Sequence, residues 1–348
     1  MKYTRLVLVS LIILNINACS FDDGEPYNKA DLKDFHSKEL IFYNVENLFD
    51  FKDDPKTKDD DFLPDGKKKW TKKRFVKKVN GIAKVLTEVA SDFPILVGLV
   101  ELENRYCLDA LIKSELIKRG SYAYVHEDSK DVRGMDAALL YQTDYLALLA
   151  SEFLSVKLKN GKNSRAILYA EFGLNNGESL YVYVNHWPSR RQGKLKSEQN
   201  RIKAATVLRE HLDDLLSVVP SAKVLVMGDF NDYPSDKSIS QILRADSIES
   251  GKSDAELFNL AYELDSNQKG TYFYKGAWGM LDQMLVSRSF LKGDTGLAIN
   301  SNNFGIFEPD WLMYFPKGSG KAKPNRTYGG NKYYGGYSDH LPIHLKLD

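Results

Sequence analysis

The chain has 348 residues, of which 43% are hydrophobic and 12% are aromatic, and these values are typical of a globular protein with a sizeable core. Its formal net charge of +1 excludes a strong overall attraction to nucleic acid or anionic membranes, so any such attraction must come from local patches. The two cysteines, Cys19 and Cys107, are too few for a disulfide framework, and the fold must therefore rest on its core.

The first residues have the pattern of an export signal. A positive region at Lys2 and Arg5 precedes an apolar stretch, residues 6–16, which is too short to cross a membrane. The sequence INAC that ends at Cys19 resembles a lipobox, the bacterial signal at which the leader is removed and the cysteine is lipidated. We therefore expect residues 1–18 to be a lipoprotein signal peptide and Cys19 to carry a lipid anchor in the cell envelope. The alternative is an ordinary secretory signal, and the sequence leaves open whether the anchor faces the periplasm or the outside.

The rest of the chain divides into a tether and one folded domain. Residues 19–38 are polar and charged without periodicity, which predicts a flexible tether. Within residues 39–348, helices are predicted from Thr71 and over about 197–218, where apolar side chains recur at helical spacing. Apolar runs rich in β-branched and aromatic residues predict the strands. These strands are 39–45, 95–100, 121–125, 136–141, 165–172, 180–186, 223–229, 270–274, 281–287 and 341–347. One α/β domain built on packed sheets is the simplest architecture.

Two further segments each allow two interpretations. Residues 67–78, KKKWTKKRFVKK, are basic enough to contact phosphates, but their periodicity favours a solvated helix face with Phe75 turned to the core. Residues 304–315, FGIFEPDWLMYF, are aromatic enough for a membrane contact, but burial in the core is favoured.

Polar residues recur at the ends of the predicted strands, where rigid elements can present side chains at the rim of a sheet. A single histidine or aspartate at such a place is usually structural. Here the pattern repeats at six places along the chain. The residues are Asn44 and Glu46, Glu101, His186, Asp229 and Asn231, Asp282, and Asp339 and His340.

The run KVLVMGDFNDYP shows how one strand can present two such groups. Because side chains alternate along an extended segment, Asp229 and Asn231 can point to the same side while Phe230 returns to the core. Gly228 allows a close approach of the backbone. Asp232 falls on the opposite side, and we assign it a turn or capping role.

These residue types together indicate metal-assisted phosphoester hydrolysis. Asn44, Glu101 and Asp339 offer oxygen ligands, and no cysteine or histidine cluster has zinc spacing, so the expected cofactor is Mg2+, with Mn2+ or Ca2+ as alternatives. His340 is the candidate base, and Asp282 would orient its ring. The remaining candidates would act on the phosphate and the attacking water. They are His186 for the non-bridging oxygens or the leaving group, and Asp229 with Asn231 for the water and the phosphate.

At this point the chain is seen to resemble the endonuclease/exonuclease/phosphatase superfamily, which includes DNase I-like nucleases, sphingomyelinases and inositol polyphosphate 5-phosphatases. The motifs that carry the resemblance are NVE at 44–46, GLVE at 98–101, RGMDAALLY at 133–141, NH at 185–186, GDFN at 228–231, LD at 281–282 and SDH at 338–340. The resemblance implies a four-layered α/β sandwich, in which two packed central β-sheets are flanked by helices.

The resemblance also assigns roles to particular positions. It implies that Asn44 and Glu101 are the main metal ligands, with Asp339 close to the ion and Glu46 in support. The catalytic positions it implies are His186, Asp229, Asn231, Asp282 and His340. Arg133, Asp136 and Arg165 fall in segments that border the substrate groove in related secreted members. His186 stands where abasic-site endonucleases carry a tyrosine or asparagine, which makes a DNA-repair function a poor match.

Three functions remain open from the sequence. The favoured one is an extracytoplasmic nuclease that degrades DNA or RNA, with Arg190 as a further backbone contact and the basic segment 67–78 as another. The second is a sphingomyelinase-like phospholipase or an inositol phosphate phosphoesterase, and the third is a surface lipoprotein that binds without catalysis. We expect a monomer whose partners are its phosphoester substrate and the membrane that holds its anchor, without an obligate protein partner.

Overall fold

The structure is a computed structural model that describes residues 31–34, 37–129, 131–158, 161–191, 193–250, 256–291, 297–318 and 320–347. The predicted signal peptide and Cys19 lie outside the described residues, as does most of the predicted tether. None of the helices in these ranges has the length and apolar character needed to cross a bilayer.

The first sheet contains the strands that carry the N-terminal and C-terminal site motifs. Its strands are β1 (Glu39–Leu48), β2 (Leu96–Leu102), β3 (Tyr122–His126), β4 (Asp136–Gln142), β14 (Ile299–Ile306) and β19 (Ile343–Leu347). Their order in space is β14-β19-β1-β2-β4-β3, so the first and last long strands of the domain are hydrogen-bonded neighbours. The segment that carries Asp339 and His340 therefore returns to the side of β1.

The second sheet contains the remaining long strands. Its strands are β5 (Ala147–Leu154), β6 (Ile167–Gly173), β7 (Ser179–His186), β8 (Lys223–Asp229), β9 (Ala245–Asp246), β10 (Leu257–Asn259) and β13 (Asp282–Ser287). In space they follow the order β5-β6-β7-β8-β13-β10-β9. Because β7 and β8 are parallel and β13 is antiparallel to β8, the C-terminal ends of β7 and β8 meet the start of β13 at one edge.

Five helices and three small hairpins complete the described fold. The helices are α1 (Lys72–Val89), α2 (Arg105–Ile112), α3 (Lys194–Val218), α4 (Tyr262–Ser266) and α5 (Arg288–Leu291). The hairpins pair β11 (Tyr272–Tyr274) with β12 (Ala277–Gly279), β15 (Met313–Tyr314) with β16 (Lys323–Pro324), and β17 (Tyr328–Gly329) with β18 (Lys332–Tyr333). Single turns of tighter or wider helix occur at Asp60–Phe62, Lys118–Gly120, Ser238–Ile242, Ile248–Ser250 and Asp310–Leu312.

Three hydrophobic clusters hold the layers together. Side chains such as Phe42 of β1 and Met227 of β8 form the cluster between the two sheets. On the outer face of the first sheet, Ile41 packs in the cluster that includes Phe75 of α1. On the outer face of the second sheet, Val226 packs in the cluster that includes Leu208 of α3. Alternate residues of each strand thus serve opposite faces, and the result is the expected four-layered α/β sandwich.

The predicted elements appear close to their expected places, with some exceptions. Thr71 is the residue before α1, and α3 begins at Lys194, three residues before the predicted start. The predicted strand 270–274 shortens to β11, which pairs with β12 outside both main sheets. Most of the aromatic segment 304–315 packs against the core, as Leu312 and Trp311 do, while Phe315 is exposed.

Candidate active site

A bulge between β1 and β2 brings the first site residues to the rim of the first sheet. The register of the β1–β2 pair shifts after Asn44, and Glu46, Asn47 and Glu101 all have positive φ angles of 50° to 67°. Residues other than glycine adopt this conformation only where surrounding contacts enforce it, and such positions concentrate at functional sites. The backbone conformation alone therefore indicates that this edge of the first sheet is a functional site.

The side chain of Asn44 connects the two sheets. Its amide nitrogen donates to Glu101 Oε1 at 3.3 Å and to Asp229 Oδ2 at 3.1 Å. Its amide oxygen accepts the backbone N–H of Glu46 at 3.0 Å. Because Glu101 leaves the first sheet and Asp229 leaves the second, Asn44 holds carboxylates from both layers in one place.

Three neighbouring strands of the second sheet align their polar ends. Asp229 is the register partner of His186 on one side and of Asp282 on the other. Nε2 of His186 lies 3.7 Å from both Glu101 Oε1 and Asp229 Oδ2. Asn231, with a φ of 51°, donates its backbone N–H to Asp229 Oδ1 at 2.9 Å and its side-chain amide to the carbonyl of Trp187.

His340 and Asp282 form a buried pair. Nδ1 of His340 lies 2.6 Å from Asp282 Oδ2, and Thr271 Oγ1 donates a hydrogen bond to the same oxygen. Since a carboxylate accepts, Nδ1 carries the proton, and Nε2 is the atom turned toward Asp229 Oδ2 at 4.0 Å. Ser338 fixes the segment, because its hydroxyl donates to the carbonyl of Asn44 at 2.7 Å and accepts the backbone N–H of His340.

Burial and mutual repulsion shape the protonation of these carboxylates. Burial raises the pKa of Glu101, and the charge of Asp339 adds to the effect. Burial also raises the pKa of Asp229 to about 7, opposed by His340 and reinforced by Asp282. Glu46 likewise has its pKa raised to about 7 by burial and by Asp339. Among the described residues, neither Glu101 nor Asp229 has a lysine or arginine as an ion-pair partner, and two carboxylates placed in this way fit a bound cation.

The pKa values of His186 and His340 are shifted in opposite directions. Burial lowers the pKa of His186 well below its ordinary value, and the charges of Arg165 and Arg133 act in the same direction. Burial would also lower the pKa of His340, but the carboxylates of Asp282, Asp229 and Asp339 raise it well above its ordinary value. A cation among these carboxylates would oppose that increase and favour the neutral ring that a base requires.

The predicted metal ligands converge, but they are not equivalent. Glu101 and Asp339 line the same groove, and Asn44 contacts Glu101. Glu46 is engaged elsewhere, because its carboxylate accepts hydrogen bonds from Arg326 at 3.2 Å and from the backbone N–H of Thr327. The carboxylates of Glu101, Asp339 and Asp229 fit a hard divalent cation, with Glu46 as a support. Asn44 turns its amide nitrogen toward Glu101 and Asp229, so its oxygen would become a ligand only after the amide rotates. Ligand atoms of Asp229, Asp282 and His340 also lie within 4.8 Å of one another, but Asp282 and His340 already bind each other.

The site opens into a groove of about 820 Å³ with a cationic wall. Among its lining residues are Glu101, His186, Asp229, Asn231, Asp339 and His340 together with Arg133, Arg165, Arg190, Arg191, Lys194, Lys275 and Arg326. The groove therefore combines a cation site with side chains that attract anions.

The arginines predicted to border the groove differ in how many contacts they make with the protein. Arg165 is buried and donates to the carbonyls of His186 at 2.8 Å and Trp187 at 2.6 Å, so it positions β7 and its exit. Arg190 donates to the carbonyl of Asn231 and pairs with Asp236 at 2.8 Å. Both are therefore engaged in holding catalytic segments.

Arg133 is the more accessible of the predicted groove residues, whereas Asp136 does not line the groove. The side chain of Arg133 is 46% exposed, and its guanidinium pairs with Asp131 at 2.6 Å. Asp136 is buried in a separate cluster with His126 and Asp128, and it accepts the backbone N–H of Ser129 at 3.0 Å. The structure thus gives Asp136 a part in shaping the loop that carries Arg133 rather than a contact with substrate.

Three of the groove residues, Arg326, Tyr272 and Tyr274, escaped the sequence interpretation. Arg326 pairs with Asp339 at 2.9 Å and with Glu46 at 3.2 Å, but it lies in a loop without strand or helix periodicity. The ring of Tyr272 lies 4.8 Å from the ring of His340, and the ring of Tyr274 stacks beyond it at 6.3 Å. The alternation YFY on a predicted strand was the only sequence signal for these tyrosines.

Comparisons with known proteins address the chain as a whole. Residues 39–348 match the Endonuclease/Exonuclease/phosphatase family. A comparison with curated proteins gave no match. Among solved structures, D. rerio TDP2 complexed with a single-strand DNA product is similar, with 16% identity and a TM-score of 0.55 over 90% of this chain and 99% of that one.

Two other solved structures show the same fold. The mannosyl-6-phosphatase of Bacteroides thetaiotaomicron VPI-5482 has 15% identity and a TM-score of 0.52, over 90% of this chain and 100% of that one. The human Nocturnin catalytic domain with bound sulfate has 14% identity and a TM-score of 0.52, over 91% of this chain and 96% of that one. At these identities the likeness concerns the fold alone.

Proposed function

Because the chain belongs to the endonuclease/exonuclease/phosphatase family, we propose that it is an extracytoplasmic nuclease that hydrolyses the phosphodiester bonds of DNA or RNA with a divalent cation. Members of this family hydrolyse phosphoester bonds, and membership makes this chain a phosphoester hydrolase without specifying its substrate. Nucleic acid as the substrate, Mg2+ as the cation and a location in the cell envelope are our proposals.

The observation that carries the proposal is the buried contact between Asp282 and His340, in a groove that also holds Glu101 and Asp339. A binding protein has no need for a histidine that is oriented by a buried carboxylate beside a cation site. Hydrolysis needs both, since it must activate water and neutralise charge on the phosphate.

The chain's own residues would divide the work as follows. Asp282 holds the proton at Nδ1 of His340, which leaves Nε2 free to accept a proton from the attacking water. Asp229 and Asn231, fixed by their mutual hydrogen bond, orient that water and the phosphate. His186, kept neutral by burial, donates a hydrogen bond from Nε2 to a non-bridging oxygen or to the leaving group.

A cation fits beside these groups. Glu101 and Asp339 would hold it, and Asp229 is close enough to contribute. Asn44 would join them through its amide oxygen once the amide, which now donates to Glu101 and Asp229, has rotated. When bound, it supplies positive charge that stabilises the phosphate oxygens as negative charge builds up on them.

Nucleic acid is supported by the walls of the groove. Tyr272 and Tyr274 present stacked rings beside His340, and Tyr274 is 60% exposed. Aromatic faces of this kind stack with bases, while a cationic groove follows the phosphate backbone. Lys275 stands next to the exposed ring and lines the same groove.

The substrate test compares several phosphoesters with the purified protein, with Mg2+ and with a chelator. The panel contains plasmid DNA, single-stranded DNA, RNA, sphingomyelin, inositol polyphosphates and mannose 6-phosphate. We expect metal-dependent cleavage of nucleic acid that His340→Ala abolishes. His344→Ala is the matched control, because His344 pairs with Glu39 at 3.2 Å and does not line the groove.

The same panel separates the competing functions. Intact nucleic acid beside cleavage of a lipid, an inositol phosphate or a sugar phosphate would show that the nuclease assignment is wrong while the site stands. Failure to cleave any of these esters would favour the surface lipoprotein that binds without catalysis.

The location rests on the sequence around Cys19, which lies outside the described residues. We expect the full chain to fractionate with membranes in a bacterial host and to incorporate labelled fatty acid. Cys19→Ser should abolish both. Membrane association without labelling would argue against a lipid anchor.

A further inference from the structure

The strongest concentration of charge outside the groove lies at the start of α1. Residues 67–78 contain eight basic residues and no acidic one. Lys78 is buried, and Lys67 pairs with Asp61 at 3.2 Å. Lys69, Lys72, Lys73 and Lys77 are exposed, and across the described ranges none of them forms an ion pair.

This arrangement is unfavourable for the helix itself. α1 begins at Lys72, its first turn has no acidic residue, and the side chain of Thr71 does not cap it. The N-terminal end of a helix carries partial positive charge, so lysines there are repelled, and Lys73 and Lys77 repel each other at i,i+4 spacing. Phe75 is the residue that buries this turn, whereas Lys72, Lys73 and Lys77 are exposed, and Lys77 lies 6.0 Å from the ring of Tyr333.

The hairpin formed by β17 and β18 extends the charged surface. Its Lys332 is exposed and lies 5.3 Å from the ring of Tyr334, which is itself 55% exposed. The ring of Tyr333 packs under Arg74 of α1 at 4.1 Å. We call the surface made by Lys69, Lys72, Lys73, Lys77 and Lys332, together with Tyr334, the basic patch.

A short, fixed segment joins the basic patch to the groove. Arg326 lines the groove and is only two residues before β17. Tyr328 donates its hydroxyl to the carbonyl of Lys68 at 2.9 Å, and Lys68 donates to the carbonyl of Gly330. Lys78 also binds Thr327, so the hairpin is tied to α1 at several points. A polyanion that leaves the groove past Arg326 would therefore meet a surface whose backbone is fixed and whose lysine side chains are exposed.

We propose that the basic patch binds the part of a single-stranded nucleic acid that extends beyond the groove, and this inference rests on the proposed nuclease function. The lysines supply contacts to phosphates, and Tyr334 supplies a face on which a base can stack. The patch thereby makes the enzyme prefer polymers over short fragments. An anionic membrane is the less suitable partner, because Val76 and Tyr334 are the only large exposed hydrophobic side chains within this surface of the described chain.

The test compares a patch variant with a charge-matched control. The patch variant carries Lys69→Gln, Lys72→Gln, Lys73→Gln and Lys77→Gln. The control carries Lys113→Gln, Lys118→Gln, Lys157→Gln and Lys346→Gln, four exposed positions outside the groove and the patch. Binding of labelled single-stranded DNA is measured with both sets in a His340→Ala background, and cleavage is measured with His340 intact.

We expect the patch variant to bind the polymer at least about tenfold more weakly than the control. For every phosphate that the variant no longer neutralises, the slope of log affinity against log salt concentration should also become shallower by about 0.7. Hydrolysis of bis(p-nitrophenyl) phosphate, a small phosphodiester, should not change, and neither should thermal stability fall, because the lysines repel one another in the folded state.

Equal polymer binding by the patch variant and the control would overturn the inference. Patch-dependent binding to phosphatidylglycerol vesicles with unchanged polymer binding would overturn it in favour of a membrane contact. If wild-type protein cleaves neither DNA, RNA nor the small diester, the proposed function fails. Patch-dependent polymer binding in the His340→Ala background would still support the patch in that case.

Discussion

The carboxylate of Asp232 lies 2.7 Å from Nε of Arg201, and both side chains are buried. Asp232 also accepts a hydrogen bond from Ser238 Oγ at 2.6 Å and pairs with Arg190 at 3.2 Å. The turn or capping role predicted for Asp232 therefore missed its main contact, because this carboxylate joins α3 to the segment that follows β8. Alternation along one short stretch lets Asp229 and Asn231 serve the site while Asp232 serves the packing of the helix.

Asp232→Ala should destabilise the fold strongly. It leaves the Arg201 guanidinium buried without its partner, and breaking a buried pair in this way typically costs about 3–5 kcal/mol. Urea unfolding followed by tryptophan fluorescence would measure the change. Asp60→Ala, which removes an exposed carboxylate from the single helical turn Asp60–Phe62, is the control and should change stability by less than about 0.5 kcal/mol. An equal effect of both substitutions would contradict the role of the pair.

Asp282→Asn should impair the chemical step rather than binding. The amide keeps the size of the side chain but no longer holds the proton on Nδ1 of His340, so the ring loses the orientation and tautomer it needs. We expect kcat to fall by about 10²–10⁴ with little change in KM. Steady-state kinetics on the best substrate would show this, and Asp144→Asn, which affects only a surface pair with Lys33, should leave both constants intact. A rise in KM at constant kcat would assign Asp282 to binding instead.

Glu101→Gln should weaken the metal site selectively. Glu101 contributes a carboxylate to the groove, and replacing it by an amide removes one negative charge beside the cation. We expect the Mg2+ concentration needed for half-maximal activity to rise at least about tenfold.

Glu103→Gln is the matched control for that experiment. Glu103 is two residues further along the chain, but it accepts the backbone N–H of Asp50 at 2.7 Å and does not line the groove. Its substitution should leave the Mg2+ requirement unchanged. The increase in melting temperature that Mg2+ causes should shrink in Glu101→Gln only, and this gives a measure that does not depend on activity.

Asp136→Asn should change how stability depends on pH. Burial raises the pKa of Asp136 to about 6 in the folded protein, above its ordinary value of 3.8. A folded-state pKa that is raised favours the folded state below the ordinary value, and this contribution is lost as pH rises through about 6. The substitution should therefore stabilise the protein at pH 8, by up to about 3 kcal/mol, and have little effect at pH 4.

Asp128→Asn, a substitution in the same cluster, should change stability in the opposite direction. The hydrogen bond with His126 lowers the pKa of Asp128, so its removal should reduce stability above that pKa rather than increase it. Urea unfolding at pH 4 and pH 8 would compare the two variants. Parallel pH profiles for Asp136→Asn and wild type would show that the buried carboxylate is not the source of the effect.

The sequence indicated the positions of the strand ends well, but not the contacts between loops. Asn44, Glu101, Asp229, Asp282 and His340 could be anticipated because each polar side chain interrupts or follows an apolar run. The alignment of His186, Asp229 and Asp282 across β7, β8 and β13 was not visible in the chain. The role of each stays a prediction until the variants are tested.

Other features leave almost no local signal. Arg326 meets Glu46 across 280 positions of sequence, and no periodic pattern marks its loop. β5 and β14 were not predicted. Both are edge strands in which most side chains are half-buried or exposed, and β14 has no apolar run, while the run ALLA in β5 was not interpreted as a strand. The short helix α2 begins after Asn104, which caps it by accepting the Cys107 N–H. Cys107, Leu108 and Leu111 recur at helical spacing, but eight residues are too few for a strong periodic signal.

Asn44 of the first sheet donates hydrogen bonds to Glu101 of the same sheet and to Asp229 of the second sheet. The candidate site therefore forms only when both sheets are packed together in register, because each sheet supplies part of it. A ligand bound there would contact residues of both sheets, which are otherwise held together by the hydrophobic cluster between them. Its binding energy helps to keep the two sheets together, so the resistance of the whole domain to unfolding rises and falls with occupancy of the rim.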